Sequence, residues 1–317
     1  MSAASKFLIL VHFSSLFRLA RVRIRSLKYK IGSSIINFRD MKLPSISAVV
    51  ATYNRANYLR ISLACLSAQD YKGGWQIIVA DDGSTDHTPE VISEARSDNK
   101  GLEILHCRHE HQNYRRSFIL NEGSRRAGGD ILVFLDSDCI PAHNLLAAYA
   151  AQFAPDSFYL GGVYYLNQQL SDTVLQSFRT FSPRKFWTRA AQARNLKKGS
   201  AKRNFKRYWK SRLYVALNFR KPKIWGGNCA VNRDVFEIIN GYDENYAGYN
   251  KSDSDLRNRL VKGSYRAVPL QTKARAYHLY HPVEKWRTAP QIIDRKEHPY
   301  FKWPDPDVVC KNGLRKL

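Results

Sequence analysis

Short apolar runs alternate with helix-forming segments from residue 46 to residue 135, and this alternation constrains the fold more than any other feature. The runs have the length and β-propensity of buried strands and lie at residues 46–51, 75–80, 102–106 and 131–135. The intervening segments have helical periodicity or helix-start residues and lie at 55–69, 88–96 and 117–127. Strands that alternate with helices predict an α/β domain with a mostly parallel central sheet flanked by helices.

Polar residues gather directly after the carboxyl ends of three predicted strands. They are Thr52-Tyr53-Asn54, Asp81-Asp82 and Asp136-Ser137-Asp138. In open α/β sheets, ligands bind in the crevice along this edge. The sequence therefore predicts a ligand site where the three clusters meet.

The second half of the chain continues the α/β pattern after an interruption. Its predicted strands lie at 229–231, 266–268 and 275–279, and its predicted helices at 234–239 and 256–261. Residues 173–224 interrupt the pattern because they are basic and rich in aromatic residues, and we interpret them as a helical insertion. The tail at 283–317 contains several prolines and is expected to wrap the surface.

Two segments carry almost all of the net charge of +24. Residues 1–42 hold nine Lys and Arg against one Asp, and residues 173–233 hold seventeen Lys and Arg with no acidic residue. A protein that tracks nucleic acid over its whole surface would spread its charge more widely, so nucleic acid is not favoured as a partner. The basic extension at 1–42 suits an interfacial helix on anionic lipid, and a solvated leader is the alternative.

No segment has the features of a membrane span, a cleaved signal or a cysteine-rich metal site. A transmembrane helix needs roughly 20 apolar residues, and the best candidate, residues 7–17, is shorter and contains His12. No A-x-A-like cleavage site follows it, so a removed signal peptide is not expected. Five scattered cysteines without a C-x-x-C pair argue against structural zinc and a disulfide framework, and they favour a reducing compartment.

Asp136 and Asp138 form an acid-x-acid pair directly after the most hydrophobic predicted strand. Two carboxylates at this place reach a divalent cation from an apolar floor, and hard oxygen ligands suit Mg²⁺ or Mn²⁺. Such ions often bridge to substrate phosphates. A turn with Asp at its favoured positions is the alternative explanation.

Further motifs accompany this pair in a fixed order. They are A-T-Y-N-R at 51–55, V-A-D-D-G-S-T-D at 79–86, N-E-G-S-R-R-A-G-G-D at 121–130, W-G-G-N at 225–228, G-Y-D-E at 241–244 and G-Y-N-K-S-D-S-D-L at 248–256. Together the motifs resemble the GT-A glycosyltransferases, specifically the large inverting family 2, over about residues 45–282. The resemblance implies one Rossmann-like GT-A domain at 43–282, with a nucleotide-binding half at 43–165 and an acceptor half at 225–282.

The resemblance also implies which residues contact the nucleotide-sugar donor. Those expected to hold the uridine of a UDP-sugar are Thr52, Tyr53 and one or both of Asp81 and Asp82. A carboxylate accepts the imide N–H of uracil, and Tyr53 offers a face for stacking. Further donor contacts are expected from Asn54, Asn121, Gly227 and Asn228.

A divalent ion, Mn²⁺ or Mg²⁺, is the cofactor that the resemblance implies. Asp138 is expected to bind the ion that spans the diphosphate, and Asp136 to contact the ribose or the ion. His278 is expected to complete the metal shell from the end of a late strand. Strand alternation directs His281 to the opposite side, and a contact with the diphosphate is its alternative role.

The family usually has W-G-x-E-D where this chain has residues 249–253, and the final Asp of that motif deprotonates the acceptor hydroxyl. By this resemblance Asp253 is the catalytic base, whereas Ser252 replaces the Glu and Tyr249 the Trp. Asp255 is a rival for the base or an acceptor contact, and either carboxylate also suits the positive end of a helix dipole. Trp225 is a further expected contact to the acceptor.

The function predicted from the sequence is a metal-dependent, inverting sugar transfer from UDP to a glycan or lipid-linked acceptor of a cell-surface polysaccharide or lipopolysaccharide. The basic segments favour a peripheral place on anionic lipid at the inner, cytoplasmic face of the cell membrane. The alternatives are a non-catalytic membrane- or RNA-binding protein on this scaffold and a nucleotidyltransferase. The sequence leaves the donor sugar, the acceptor and the oligomeric state open.

Overall fold

The computed structural model of the chain describes residues 28–31, 34–37, 42–112, 115–218, 221–246, 251–282 and 305–317. The chain divides into two compact units, Met1–Lys42 and Leu43–Leu317. In the first unit, β1 (Lys28–Ile31) pairs antiparallel with β2 (Ser34–Asn37). Most of the basic extension predicted at 1–42, including residues 1–27, and residue Tyr249 lie outside the described residues.

A seven-stranded sheet forms the centre of the second unit. Its strands are β3 (Ile46–Thr52), β4 (Trp75–Asp81), β5 (Glu103–Arg108), β6 (Ile131–Asp136), β8 (Ser157–Leu160), β10 (Asn228–Asn232) and β11 (Arg266–Pro269). Their order is β11-β8-β10-β6-β3-β4-β5, and β10 runs antiparallel to both of its neighbours. The remaining neighbours are parallel, so the prediction of a mostly parallel sheet is confirmed.

Nine α-helices lie in the part of the second unit that the structure describes. They are α1 (Ala56–Ser67), α2 (Thr88–Asp98), α3 (Arg116–Arg125), α4 (Leu145–Ala150), α5 (Gln168–Gln176), α6 (Pro183–Ala190), α7 (Ser200–Leu217), α8 (Arg233–Ile238) and α9 (Ser252–Lys262). Two short 3₁₀ helices occupy Phe178–Thr180 and Ala193–Asn195. The helices predicted at 55–69, 88–96, 117–127, 234–239 and 256–261 therefore all form, with shifted ends.

Helices cover both faces of the central sheet because successive side chains of β3 point to opposite faces. Ala48 and Val50 pack in one apolar cluster with the α1 residue Leu63. Val49 packs in the other cluster with Ile119 of α3. Burial on this scale stabilises the fold by about 1.5–3 kcal/mol for each large aliphatic side chain.

Gly123, the glycine of the N-x-G motif, lies in α3 and allows this helix to pack closely on the sheet. A Cβ atom on this residue would stand 2.9 Å from Val49 Cγ1 and 3.4 Å from Ile78 Cγ2. The missing side chain therefore lets α3 lie directly on β3 and β4, and the close approach brings the first turn of α3 over the edge of the sheet where β6 ends.

A second, three-stranded sheet carries the late histidines to the same edge. It consists of β7 (Cys139–Pro141), β12 (Arg275–His278) and β9 (Gly162–Tyr165), with β12 in the centre. In the antiparallel pair of β12 with β7, His278 lies opposite Cys139. This register places His278 beside Asp138, the residue that immediately precedes β7.

The basic insertion is helical, as the sequence predicts. Helix α7 is held from its inner face, where Asn204 donates a hydrogen bond to the Val163 carbonyl at 2.7 Å and Gln271 donates to Ser211 Oγ at 3.0 Å. Its outer face leaves large apolar side chains exposed, including Phe205 and Trp209.

The described end of the tail packs on the loop after α8. Asn240 donates a hydrogen bond to the Cys310 carbonyl at 2.7 Å, and the Arg315 amide donates to Asn240 Oδ1 at 2.8 Å. All five cysteines are free and buried. Across the described ranges no helix combines the length and hydrophobicity that a bilayer crossing requires.

Candidate functional site

A cleft of about 380 Å³ opens at the carboxyl ends of β3 and β6, where the sequence predicted a ligand site. The sequence-predicted residues that line it are Thr52, Tyr53, Asp82, Asp136, Asp138, Trp225, Gly227, Asp253 and His278. The parallel register places Thr52 beside Asp81 and Ala51 beside Asp136. Residues far apart in sequence therefore converge on one cleft because their strands end at one edge.

Asp138, His278 and His281 form a cluster with the composition of a metal site. One potential ligand atom from each residue lies within 4.8 Å of the other two. Asp138 Oδ2 lies 3.2 Å from His281 Nε2, and Asp138 Oδ1 lies 3.8 Å from His278 Nε2. Among the described residues, the buried Asp138 Oδ1 has no hydrogen-bond partner. A buried acceptor left without a donor fits a site that a cation completes.

The electrostatics of Asp138 follow from its neighbours. Burial by itself raises the pKa of Asp138, but the positive charge of His278, the hydrogen bond from His281 and the charge of Arg55 together hold the pKa well below its usual range. The carboxyl group is therefore ionised throughout the physiological pH range. An ionised carboxylate beside two imidazoles is a suitable donor set for a divalent ion.

The expected orientation of His281 was wrong. Strand β12 ends at His278, so the alternation that would turn His281 away does not continue. Instead the two imidazole rings lie 5.2 Å apart between centroids, and both face Asp138. His281 thus joins the cluster through a turn that periodicity does not describe.

Arg116 is the residue that the sequence analysis missed. It is the first residue of α3 and is 8% exposed. Its Nη2 donates to Asp136 Oδ1 at 2.9 Å, and its Nη1 donates to Asp253 Oδ1 at 3.2 Å. A single guanidinium therefore links the carboxylate at the end of β6 to the carboxylate at the start of α9. No motif marks Arg116, because only the packing of α3 brings it to the cleft.

Asp136 experiences opposing influences on its protonation. Burial raises the pKa of the Asp136 carboxyl most strongly, the positive charge of Arg116 lowers it, and the charges of Asp138 and Asp253 raise it again. The net pKa lies above the usual value. Three carboxylates therefore share one small volume, which is an arrangement that a cation stabilises.

Two consecutive glycines make room for these carboxylates. A Cβ atom on Gly226 would collide with the carboxylate of Asp253. A Cβ atom on Gly227 would stand 2.7 Å from Cys139 Sγ and 3.1 Å from Asp136 Oδ2. Gly226 and Gly227 therefore pass beside the two carboxylates without side chains that would clash with them, and Gly227 contributes space.

Asp253 and Asp255 stand two residues apart in the first turn of α9, but only Asp253 lines the cleft. Asp255 is 1% exposed and accepts a hydrogen bond from Arg259 Nε at 2.8 Å inside the core. The alternative role of Asp255 as base or acceptor contact is therefore wrong, because its carboxylate is buried and forms an ion pair with Arg259, one helical turn away.

The nucleotide-binding residues expected after β3 and β4 lie at different depths. Tyr53 stacks on His111 with 4.2 Å between ring centroids, and Asp82 accepts a hydrogen bond from the Arg115 amide at 3.0 Å. Asp81 is fully buried and accepts a hydrogen bond from the Ser84 amide at 2.8 Å. Asp82 is also buried, at 3% exposed, but of the two acids it is the one that lines the cleft.

Two of the expected donor contacts are wrong. Asn121 is fully buried and exchanges hydrogen bonds with the backbone of Tyr242, at 2.8 and 2.9 Å. Asn228 is fully buried, accepts from Tyr149 Oη at 2.7 Å and donates to the Gly162 carbonyl at 3.0 Å. Their amide groups join secondary-structure elements and have no surface to offer a ligand.

Asn54 also contacts protein where a donor contact was expected. Its backbone adopts a left-handed conformation with φ of 48°, and its Oδ1 accepts a hydrogen bond from the Thr85 amide at 2.8 Å. Asn54 therefore ties the loop after β3 to the loop after β4, and it does not line the cleft.

Comparison with protein-family models gives two matches. The model of glycosyl transferase family 2 matches residues 47–239, and a model described as the N-terminal domain of galactosyltransferase matches residues 210–282. Validoxylamine A glucosyltransferase of Streptomyces hygroscopicus subsp. jinggangensis is 27% identical over 262 residues, which are 78% of this chain and 58% of that relative. The chain thus spans little more than half the length of this curated relative.

Two solved structures have a similar fold. A mannosyltransferase PcManGT from Pyrobaculum calidifontis, in complex with GDP-Man and Mn²⁺, aligns with a TM-score of 0.53 at 18% identity and covers 85% of this chain and 64% of that one. S. aureus TarS 1-349 in complex with UDP-GlcNAc aligns with a TM-score of 0.52 at 20% identity, with 78% and 61% covered. At these identities the likeness establishes the fold.

Proposed function

The chain belongs to glycosyl transferase family 2 and has a GT-A fold, and from this membership we propose that it transfers a sugar from a UDP-sugar to a hydroxyl group of a glycan or lipid-linked acceptor. One observation carries the proposal. The metal-type cluster around Asp138 and the carboxylate of Asp253 line the same cleft, and Arg116 links Asp253 to Asp136 within it. A donor and an acceptor held in this cleft would therefore meet beside Asp253.

For the donor, we place the uridine against Thr52, Tyr53 and Asp82. Asp82 offers a carboxylate to the imide N–H of uracil, and Tyr53, already stacked on His111, offers its other face to the base. The buried Thr52 Oγ1 has no hydrogen-bond partner among the described residues, which supports a contact with the bound nucleotide.

For the cofactor, we propose Mn²⁺ or Mg²⁺ held by Asp138, His278 and His281, with Asp136 beside it. A ligand set with two imidazoles favours Mn²⁺ over Mg²⁺, because Mg²⁺ prefers oxygen ligands. The solved PcManGT structure of similar fold contains Mn²⁺. When bound, such an ion supplies charge neutralisation for a diphosphate leaving group.

In the proposed reaction, Asp253 accepts the proton of the acceptor hydroxyl while that oxygen attacks the anomeric carbon. The bond from the anomeric carbon to the UDP oxygen breaks, and the electron pair leaves with UDP. One displacement inverts the anomeric configuration. General-base assistance of this kind contributes about 10²–10⁴ in rate, and Arg116 holds the Asp253 carboxylate in place for it.

For the location, we propose that the outer face of α7 binds anionic lipid at the inner face of the cell membrane. Four apolar residues recur every four positions along this face, and their exposed fractions are 58% for Phe205, 55% for Trp209, 45% for Leu213 and 68% for Leu217. Exposed lysines flank the stripe at Lys202, Lys206 and Lys210. Apolar anchors with a basic rim suit anionic lipid, and each cation near such a surface contributes about 1 kcal/mol.

The proposed function is tested with the purified full chain. Thermal-shift measurements with UDP-glucose, UDP-galactose or UDP-GlcNAc, each with Mn²⁺, are expected to raise the melting temperature for one donor more than for free UDP. That donor is then used in an assay of UDP release. No stabilisation by UDP in the presence of Mn²⁺ or Mg²⁺ would contradict the proposal, and would favour a non-catalytic protein on this scaffold.

A further inference from the structure

Three cations of the basic insertion stand at one wall of the cleft, on aromatic residues that line it. Arg207 Cζ lies 4.0 Å from the centre of the Trp225 ring, and Lys223 Nζ lies 4.5 Å from the same centre. Arg203 Cζ lies 5.6 Å from the centre of the Tyr165 ring. Trp225 and Tyr165 both line the cleft. We call Arg203, Arg207 and Lys223 the cation cluster.

Within the described residues, no neighbouring carboxylate neutralises the cation cluster. In the described part of the chain, no carboxylate oxygen forms an ion pair with any of its three members. Burial lowers the pKa of Arg207, and the charge of Arg203 lowers it further. Burial likewise lowers the pKa of Lys223, followed by the charges of Arg207 and Lys251. Crowded like charges are costly unless a bound anion compensates them.

Arg207 also carries a donor that the protein leaves unused. Its Nη1 is buried and has no hydrogen-bond partner within the ranges that the structure describes. A buried guanidinium N–H without an acceptor costs free energy, because the group has lost its water and gained no hydrogen bond. Phosphate and carboxylate oxygens are the acceptors that a guanidinium binds most strongly, and both can take its N–H groups in a bidentate contact.

The cation cluster borders the proposed metal site as well as the proposed base, because Tyr165, which carries Arg203, lies 4.7 Å from His278 between ring centroids. Asp253 packs against Gly226, and Trp225 is the next residue along the wall. Arg116 links Asp253 to Asp136 at the proposed donor side. An acceptor whose hydroxyl reaches Asp253 therefore has Trp225 and the cation cluster next to the rest of its structure.

We infer that Arg207 and Lys223, with Arg203 beside them, form a subsite for a phosphate group carried by the acceptor. The acceptor class is then a sugar phosphate or sugar diphosphate ester, which includes sugars linked to a lipid through phosphate. This inference rests on the proposed function, because it places the acceptor relative to Asp253.

The test is calorimetric titration of the full chain with glucose 1-phosphate, in the presence of saturating UDP and Mg²⁺. UDP fills the donor site, so the titrated phosphate has only the subsite to bind. Wild-type protein is expected to bind glucose 1-phosphate and not glucose. The variant Arg207→Gln/Lys223→Gln is expected to bind glucose 1-phosphate about tenfold more weakly or worse, since it loses two charge-assisted contacts.

A matched control removes the same two charges from another place in the insertion. Arg184→Gln/Lys185→Gln lies on exposed positions of α6 and is expected to leave the glucose 1-phosphate affinity within about twofold of wild type. Arg207→Lys/Lys223→Arg keeps both charges and is expected to keep most of the glucose 1-phosphate binding. This variant distinguishes an effect of the lost charges from an effect of misfolding. Equal weakening by both Gln pairs would overturn the subsite, because it would show a general effect of net charge.

Two further outcomes are informative. If UDP itself does not bind, the proposed function fails, whereas normal UDP binding with equal affinity for glucose and glucose 1-phosphate overturns only the subsite. Co-sedimentation with phosphatidylglycerol vesicles distinguishes the source of the phosphate. If Arg207→Gln/Lys223→Gln loses vesicle binding and retains glucose 1-phosphate binding, the cations contact a lipid headgroup, and the acceptor subsite is overturned.

Discussion

The two walls of the cleft are built from different parts of the chain and carry opposite charge. The acidic wall consists of the carboxylates that follow the parallel strands, namely Asp82, Asp136 and Asp138. The basic wall consists of Trp225 and the cation cluster, supplied by α7 and the segment before β10. The acidic wall needs a cation to be complete, and the basic wall needs an anion. Under the proposed function, one wall serves the donor and the other serves the acceptor and the membrane.

The largest effect is expected where the two walls meet. Asp253→Asn removes the proposed base, so kcat is expected to fall by about 10²–10⁴ in an assay of UDP release. UDP affinity is expected to stay unchanged, because Asp253 is not among the residues proposed to bind the uridine or the metal ion. Asp98→Asn, which changes an exposed carboxylate at the end of α2, is the control for activity.

The neighbour of Asp253 sharpens this prediction. Asp255→Asn removes the carboxylate that pairs with the buried Arg259, and it is expected to lower the free energy of unfolding by about 3–5 kcal/mol. Denaturant melts check this value, and Asp253→Asn is expected to melt like wild type. A catalytic loss in folded Asp255→Asn, together with full activity in Asp253→Asn, would reverse the roles assigned to the two carboxylates.

The second effect concerns the acidic wall. Asp138→Asn removes the carboxylate of the metal-type cluster. We expect kcat to fall about 10²–10³-fold, which corresponds to a loss of several kcal/mol of transition-state stabilisation. The thermal shift that Mn²⁺ produces in wild type is expected to disappear. Activity that survives both this substitution and chelation of divalent ions would show that the acidic wall does not hold a metal ion.

The third effect tests whether Arg116 positions Asp253. Arg116→Lys keeps the charge but loses the fork that contacts two carboxylates. We expect kcat to fall by about 10- to 100-fold, since small misplacements of a catalytic group are costly. The donor KM is expected to change much less. Arg115→Lys, one residue earlier, is the control, and a loss confined to KM would assign Arg116 to donor binding instead.

The smallest effect concerns the outer face of the basic wall. Phe205→Ser/Trp209→Ser removes two exposed anchors of α7 and is expected to weaken binding to phosphatidylglycerol vesicles by about tenfold. Phe153→Ser removes an exposed aromatic ring elsewhere and is expected to leave vesicle binding unchanged. Wild-type binding that is insensitive to salt and to the double substitution would separate the basic wall from any membrane.

The strands and helices of the GT-A core were predictable because local patterns decide them. Val49, Ile78 and Leu132 lie in buried strands whose runs have no competing helical period. The approach of Asp136 and Asp138 to a common edge followed from the parallel topology. The helices predicted between these strands also form, because their apolar periodicity matches the buried faces of α1 and α3.

The errors in the site have a common cause. Asn121 and Asn228 belong to motifs that resemble the family, but a motif does not tell whether its amide serves the ligand or the scaffold. Arg116 and Arg207 belong to no motif and were missed as single residues among many cations. Burial and partner geometry distinguish these cases, and both depend on the packing of distant segments.

The amino-acid sequence by itself determined the order of strands and helices, the acid-x-acid pair and the position of the charge, because these follow from near-neighbour patterns. Only the tertiary structure decided that Asp253 and not Asp255 faces the cleft, that His281 joins His278, and that Arg207 and Lys223 meet on Trp225. Asp253 meets Arg116, and His281 meets Asp138, across more than a hundred residues of sequence. Such contacts are selected by the packing of the whole core, which no local pattern encodes.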